Sequence, residues 1–194
     1  MSIILSCIYS NKFTMIGDTQ LNNPNDAIEM TTLKVFPLNN NTTIGLTGNY
    51  KNCVEILKIL DENPNLRTMS FNRQVIFFRN KLKAMDGSIN IILASNENGC
   101  RYIIIGTDLG FENAVEHVNE GFVIKALLPP DISPDMCSEY FKQNDMETSL
   151  FTCIEELSKK SKYINDKICG FRVSSDKLET LCKNIKYEEI NLRI

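Results

Sequence analysis

The chain has 194 residues, of which 43% are hydrophobic and 23% charged, an ordinary globular composition for a length that buries about 70% of the unfolded surface. A net charge of -3 gives no reason to expect nucleic acid or an anionic membrane as a partner, and no apolar run reaches the 18 or so residues of a membrane helix. With no basic stretch leading into an apolar core at the start, these features predict a single domain over residues 1–194, located in the cytoplasm.

Seven cysteines, odd in number and nowhere in a CxxC pair, read as buried thiols. His117 is the only histidine, which leaves no ligand set for zinc and no His-based triad, so neither a metal nor a cofactor is expected.

Residues 3–9 and 13–16 are β-branched and apolar, and the polar Ser10-Asn11-Lys12 between them predicts a hairpin. Asn22 to Asp26 breaks the pattern as a loop, and short strands follow at 33–38 and 42–47, joined by Asn39-Asn40-Asn41. Cys53, Ile56, Leu57 and Leu60 then recur at helical spacing until Asn63-Pro64. A second helix is predicted over 71–85, with Val75, Phe78, Leu82 and Met85 on one face. Strand character returns at 89–94, 101–106 and 121–126. Ser133-Pro134 opens a third helix with Met136, Cys137, Tyr140 and Phe141 inward. Leu150, Cys153, Ile154 and Leu157 mark a fourth, ahead of strands at 168–173 and 177–181. The order is strands, two helices, strands, two helices, strands, which is an α+β class.

Four positions in the first quarter carry chemistry. Ser2 offers a hydroxyl directly after Met1, Asp18 lies at a strand end, Lys34 opens a strand and Gly48 closes another. A lysine inside an apolar strand pattern is unusual unless it is paired, and Asp18 is its natural partner. Asp18 follows Ser2 by sixteen positions, Lys34 follows Asp18 by sixteen, and Gly48 follows Lys34 by fourteen.

In that register Ser2, Gly17-Asp18-Thr19, Lys34-Val35-Phe36 and Thr47-Gly48 resemble the motifs of proteasome β subunits and of the bacterial HslV (ClpQ) peptidase, which are N-terminal nucleophile hydrolases. The resemblance covers most of the chain in element order, with its specific motifs confined to the first quarter. It implies a four-layer αββα sandwich, two stacked antiparallel sheets with a helix pair on each outer face. It also implies a peptidase in which Ser2, after removal of Met1, uses its own α-amine as base. An α-amine has a pKa of about 7.7 to 8.0, which suits that task. Lys34 would favour the neutral amine and the developing alkoxide, Asp18 would hold Lys34, and the Gly48 N–H would meet the oxyanion. Leu46 and Tyr50 would line the pocket for the side chain preceding the cleaved bond, favouring Leu, Phe or Tyr.

The family's aspartate near the last strands matches Asp166 best. Its Ser-Gly-rich turn is replaced here by Lys125-Ala126-Leu127-Leu128-Pro129-Pro130, which carries no hydroxyl. The partners implied are peptide or unfolded protein as substrate, further copies in a homo-oligomeric ring, and an ATP-dependent unfoldase. The alternatives are a catalytically inactive proteasome-like scaffold or binding protein, and an amidase of the same superfamily acting on a small molecule.

Overall fold

The computed structural model describes residues 2–21, 30–142, 145–175 and 177–186, and the loop expected at 22–26 lies outside the described residues. Strands β1 (Ile4–Tyr9) and β2 (Lys12–Asp18) form the expected hairpin. Two-residue strands β3 (Gln20–Leu21) and β4 (Met30–Thr31) pair as a small ribbon, and β5 (Val35–Pro37) and β6 (Thr42–Gly48) follow. The helices α1 (Tyr50–Glu62) and α2 (Phe71–Lys83) come next, then β7 (Ile89–Ser95), β8 (Arg101–Gly106), β9 (Glu116–His117) and β10 (Phe122–Leu127). The described elements continue with α3 (Pro134–Ser138), α4 (Met146–Ser158), β11 (Ile168–Ser174) and β12 (Leu178–Lys183).

Two five-stranded antiparallel sheets result, ordered β10-β1-β2-β11-β12 and β5-β6-β7-β8-β9. The mixed α+β class expected from the sequence is what the described residues form. The near-continuous apolar runs belong to β1, β2, β6, β7, β8 and β11, which are buried on both faces. In β1, Ile4 and Ile8 share a core with Phe13, Met15, Ile92 and Tyr102 of both sheets, while Leu5 and Cys7 share another with Leu150, Cys153, Ile154 and Leu157 of α4. A third core joins Ile44, Ile91, Leu93, Ile103 and Ile105 to Ile56, Phe71, Val75, Phe78 and Leu82 of α1 and α2.

Helix ends follow local chemistry. Asn49 caps α1 by accepting from the Asn52 N–H at 2.9 Å, and Asp145 caps α4 through the N–H groups of Glu147 and Thr148. The third helix is shorter than expected. It gives way to a 3-10 turn at Glu139–Lys142, where Phe141 leaves helical geometry, although Met136, Cys137, Tyr140 and Phe141 all reach the predicted core.

Gly170 on β11 shows how closely the backbones approach behind the hairpin. A Cβ there would lie 2.1 Å from the Met15 carbonyl oxygen and 2.6 Å from the Ile16 Cα, both rigid strand backbone. Gly170→Ala is therefore expected to destabilise the fold by about 1 to 3 kcal/mol, read as a lowered midpoint in urea with an unchanged slope. An unchanged midpoint would show that β11 can move off β2 at little cost.

Candidate active site

Asp18 ends β2 beside the start of β1, and its carboxylate gathers the first residues of the chain. Oδ1 accepts the Ile3 N–H at 3.0 Å, and the Asp18 N–H returns to the Ile3 carbonyl at 3.3 Å. Oδ2 accepts the Gln20 N–H at 3.0 Å and the Lys34 ammonium at 2.9 Å. Ser2 is thereby held by its neighbour at the head of β1, and its carbonyl also accepts a long hydrogen bond from the Thr47 hydroxyl at 3.4 Å. Lys34 donates a second bond to the Gln20 carbonyl, across from which β4 is paired.

All three residues are buried: Asp18 is 0% exposed, Lys34 4% and Ser2 6%. Burial pushes the Asp18 carboxyl up and the Lys34 ammonium down from their ordinary values, against their mutual attraction and, for Asp18, the two backbone N–H groups. The charge of Lys34 extends to Cys53, whose thiol burial raises to about 11 while the nearby ammonium opposes that rise.

Ser2 and Lys34 line one cavity of about 320 Å³, near the lower end of the roughly 300 to 1,000 Å³ typical of ligand sites. Gly48, Asn49 and Tyr50 border it at the start of α1, and Leu33, Leu46, Val54 and Leu57 give it an apolar wall. The Leu46 N–H donates to the Lys34 carbonyl at 2.9 Å on the β5 side, and the Asn49 N–H donates to Ser88 at 2.9 Å on the β7 side. Strand N–H groups alternate in direction, so the Gly48 N–H faces the same side as that of Leu46. The β5 and β6 pairing ends at Val35 and Gly45, so at Gly48 that side is the cavity. A Cβ at Gly48 would meet the Ser88 carbonyl at 2.4 Å, which accounts for glycine at this position. The first turn of α1 adds the positive end of its dipole to the same wall.

Of the residues singled out in the sequence, the structure brings Ser2, Lys34, Leu46, Gly48 and Tyr50 to this cavity, with Asp18 behind Lys34. It does not bring Asp166 there. That residue is exposed, and its carboxylate and carbonyl accept from the Asn184 side chain at 3.3 and 2.9 Å. The neighbouring Asn165 instead accepts the Thr19 N–H at 3.2 Å. Tyr163 from the same segment lines the cavity, as do Thr32, Cys53 and Ser88. Cys53 lies on the helical face that the sequence periodicity marks, whereas nothing in the sequence pattern points to Thr32, Ser88 or Tyr163.

Among the described residues no group of three or more His, Cys, Asp or Glu side chains is placed to hold a metal ion, and no helix is long and apolar enough to cross a membrane. The arrangement offers a hydroxyl, a buried cation, an N–H donor and an apolar recess. That set suits acyl transfer with an apolar substrate group. No model of a known protein family matches the chain, and neither does any curated protein.

Proposed function

We propose that this chain hydrolyses peptide bonds with Ser2, freed of Met1, as nucleophile, on the four-layer αββα sandwich of proteasome β subunits and the HslV peptidase. The observation that carries the reading is the buried pair of Lys34 and Asp18 at the wall of the cavity that Ser2 lines. Replacing a buried ion pair by apolar side chains of similar volume is often neutral or stabilising by about 1 to 4 kcal/mol, so stability alone gives little reason to keep one. A cation beside an amine and a hydroxyl does have a use. The three cores, one between the sheets and one under each helix pair, support the layered reading.

In the proposed reaction the Ser2 α-amine takes the hydroxyl proton as Oγ attacks the scissile carbonyl. Lys34 stabilises the alkoxide, and the Gly48 N–H receives the charge that develops on the carbonyl oxygen, a contribution of about 3 to 4 kcal/mol for one such donor. The protonated amine then gives its proton to the leaving nitrogen, and a water, deprotonated by the same amine, releases the acyl group from Ser2. A peptide electrophile such as an epoxyketone tests this directly. The expected result is one adduct per chain, mapped to Ser2 by peptide mass. A folded chain beginning at Ser2 that takes no label would overturn the reading.

The apolar wall sets the expected specificity. A charged side chain in such a recess loses its hydration without a partner, a cost of several kcal/mol. Fluorogenic peptides with Leu, Phe or Tyr before the reporter are therefore expected to be cleaved at least tenfold faster than those with Arg or Glu. Faster cleavage after Arg or Glu would reject Leu46 and Tyr50 as the specificity wall.

An inactive scaffold is the second reading, favoured by the 125–130 segment, which has no hydroxyl to place beside Ser2. Lys125 instead leans over the Tyr102 ring at 4.9 Å and pairs with Glu116. Assembly into a ring, and docking of an ATP-dependent unfoldase on it, belong to both readings, and mass measurement under native conditions tests the ring.

A further inference from the structure

We propose that Cys169 and Cys182 form a reversible redox site, in which a small disulfide such as oxidised glutathione converts the two thiols into a bond that pins edge strand β12 to β11. The two residues are direct partners in the antiparallel register of these strands. Directly opposed residues have Cα atoms about 4.5 to 5.5 Å apart, inside the roughly 4.4 to 6.8 Å that a disulfide spans. Their Sγ atoms are 2.6 Å apart, on a common face where both side chains pack with Leu33 and Ile185. Bond formation therefore needs almost no backbone movement.

Access is as uneven as such chemistry needs. Cys182 is half-buried, and the other six cysteines are buried. Being the more exposed of the two, Cys182 is the sulfur that meets the oxidant first, while burial and the neighbouring thiol raise the Cys169 pKa. In the first step the Cys182 thiolate attacks one sulfur of the small disulfide, forming a mixed disulfide and expelling one small thiolate. Cys169, giving up its proton, then attacks the Cys182 sulfur and expels the second. Two protein thiols lose two electrons, the small disulfide gains them, and the two protons pass to the two small thiols.

The consequence reaches the strand and its neighbours. Among the described residues strand β12 is the sheet edge and has only β11 as a sheet partner, so it is a natural place for local opening. Cys169 in turn lies opposite Gly17 on β2, next to Asp18, and packs against Leu33, next to Lys34. The bond thus ties the edge strand to β11, the direct neighbour of the strand that carries Asp18. Cys137 and Cys153 also touch, but both are buried. They serve as the internal comparison.

The folded chain is incubated with oxidised glutathione, quenched in acid, denatured and alkylated, and its peptides are mapped without reduction. The expected product has lost two hydrogens and carries one cross-link between Cys169 and Cys182, reversed by reduced glutathione, with five cysteines alkylated. Hydrogen exchange of the β12 amides is expected to slow at least tenfold on oxidation. In Cys182→Ser, with an unchanged circular dichroism spectrum, no cross-link forms. Full alkylation of all seven cysteines, a stable glutathione adduct that does not resolve, earlier cross-linking of Cys137 to Cys153, or β12 exchange unaffected by the bond would each overturn the proposal.

Discussion

Lys34→Ala is expected to lower hydrolysis by about 10² to 10⁴-fold and also to destabilise the fold, because in the proposed mechanism its ammonium stabilises the alkoxide and in the structure it pairs with the buried Asp18. Removing one partner of a buried pair leaves the other charge uncompensated, which costs about 3 to 5 kcal/mol. Asp18 is fully buried, and its remaining partners are the N–H groups of Ile3 and Gln20. Loss of Lys34 removes the attraction that opposes the upward push of burial on the Asp18 carboxyl, so its folded-state pKa rises further. A carboxyl raised on folding is destabilising wherever it must ionise. The penalty is therefore smallest below the ordinary value of about 3.9 and grows as pH rises towards the raised folded value. Lys34→Met retains much of the stem and is expected to be the more stable of the two variants, yet equally inactive. Urea midpoints between pH 4.5 and 7.5, measured beside peptide hydrolysis, separate the two roles. Activity within tenfold of the parent in Lys34→Met would remove Lys34 from the mechanism.

Much of this site was legible because its parts are spaced along contiguous strands. Ser2, Asp18, Lys34 and Gly48 lie at or beside strand ends, and a hairpin brings the first two together through the Ile4 and Gly17 pairing. The helix that begins at Tyr50 was legible for the same local reason, with Asn49 as its cap and a 3.6-residue apolar repeat behind it. The parts not legible arrive from distant chain. Ser88 reaches the cavity only through the register of β6 with β7, and Tyr163 only because Thr19 docks onto Asn165 and the Lys167 carbonyl. Neither contact leaves a periodic trace. Asp166 matches by residue type alone, and the structure leaves it exposed beside Asn184, away from the cavity. The ribbon of β3 and β4 and the short β9 are two residues each, too short for an alternating pattern to mark.

The state of the first residue controls the largest expected effect. An amide nitrogen has its lone pair committed to resonance and cannot take the hydroxyl proton, so a chain that keeps Met1 has a hydroxyl at Ser2 but no base on the same residue. Homogeneous chain beginning at Ser2 is expected to hydrolyse apolar peptides, while the Met1-retaining form and Ser2→Ala are both inactive, the first without the amine and the second without the oxygen. The pH profile adds a signature that contamination by another peptidase does not reproduce. The base works unprotonated, so kcat/KM rises with pH through the ionisation of the Ser2 amine. The Lys34 charge and the burial of Ser2 both favour the neutral amine, so the rise is expected below the ordinary value of about 7.7 to 8.0. Lys34 must stay charged to stabilise the alkoxide, and burial lowers its pKa, so activity falls again as that ammonium loses its proton. The result is a bell whose acidic limb belongs to the amine and whose alkaline limb belongs to Lys34. A trimmed chain that is folded, takes no covalent label and cleaves no apolar peptide across this pH range would establish the scaffold reading instead, with the buried pair left as a structural feature of an inactive site.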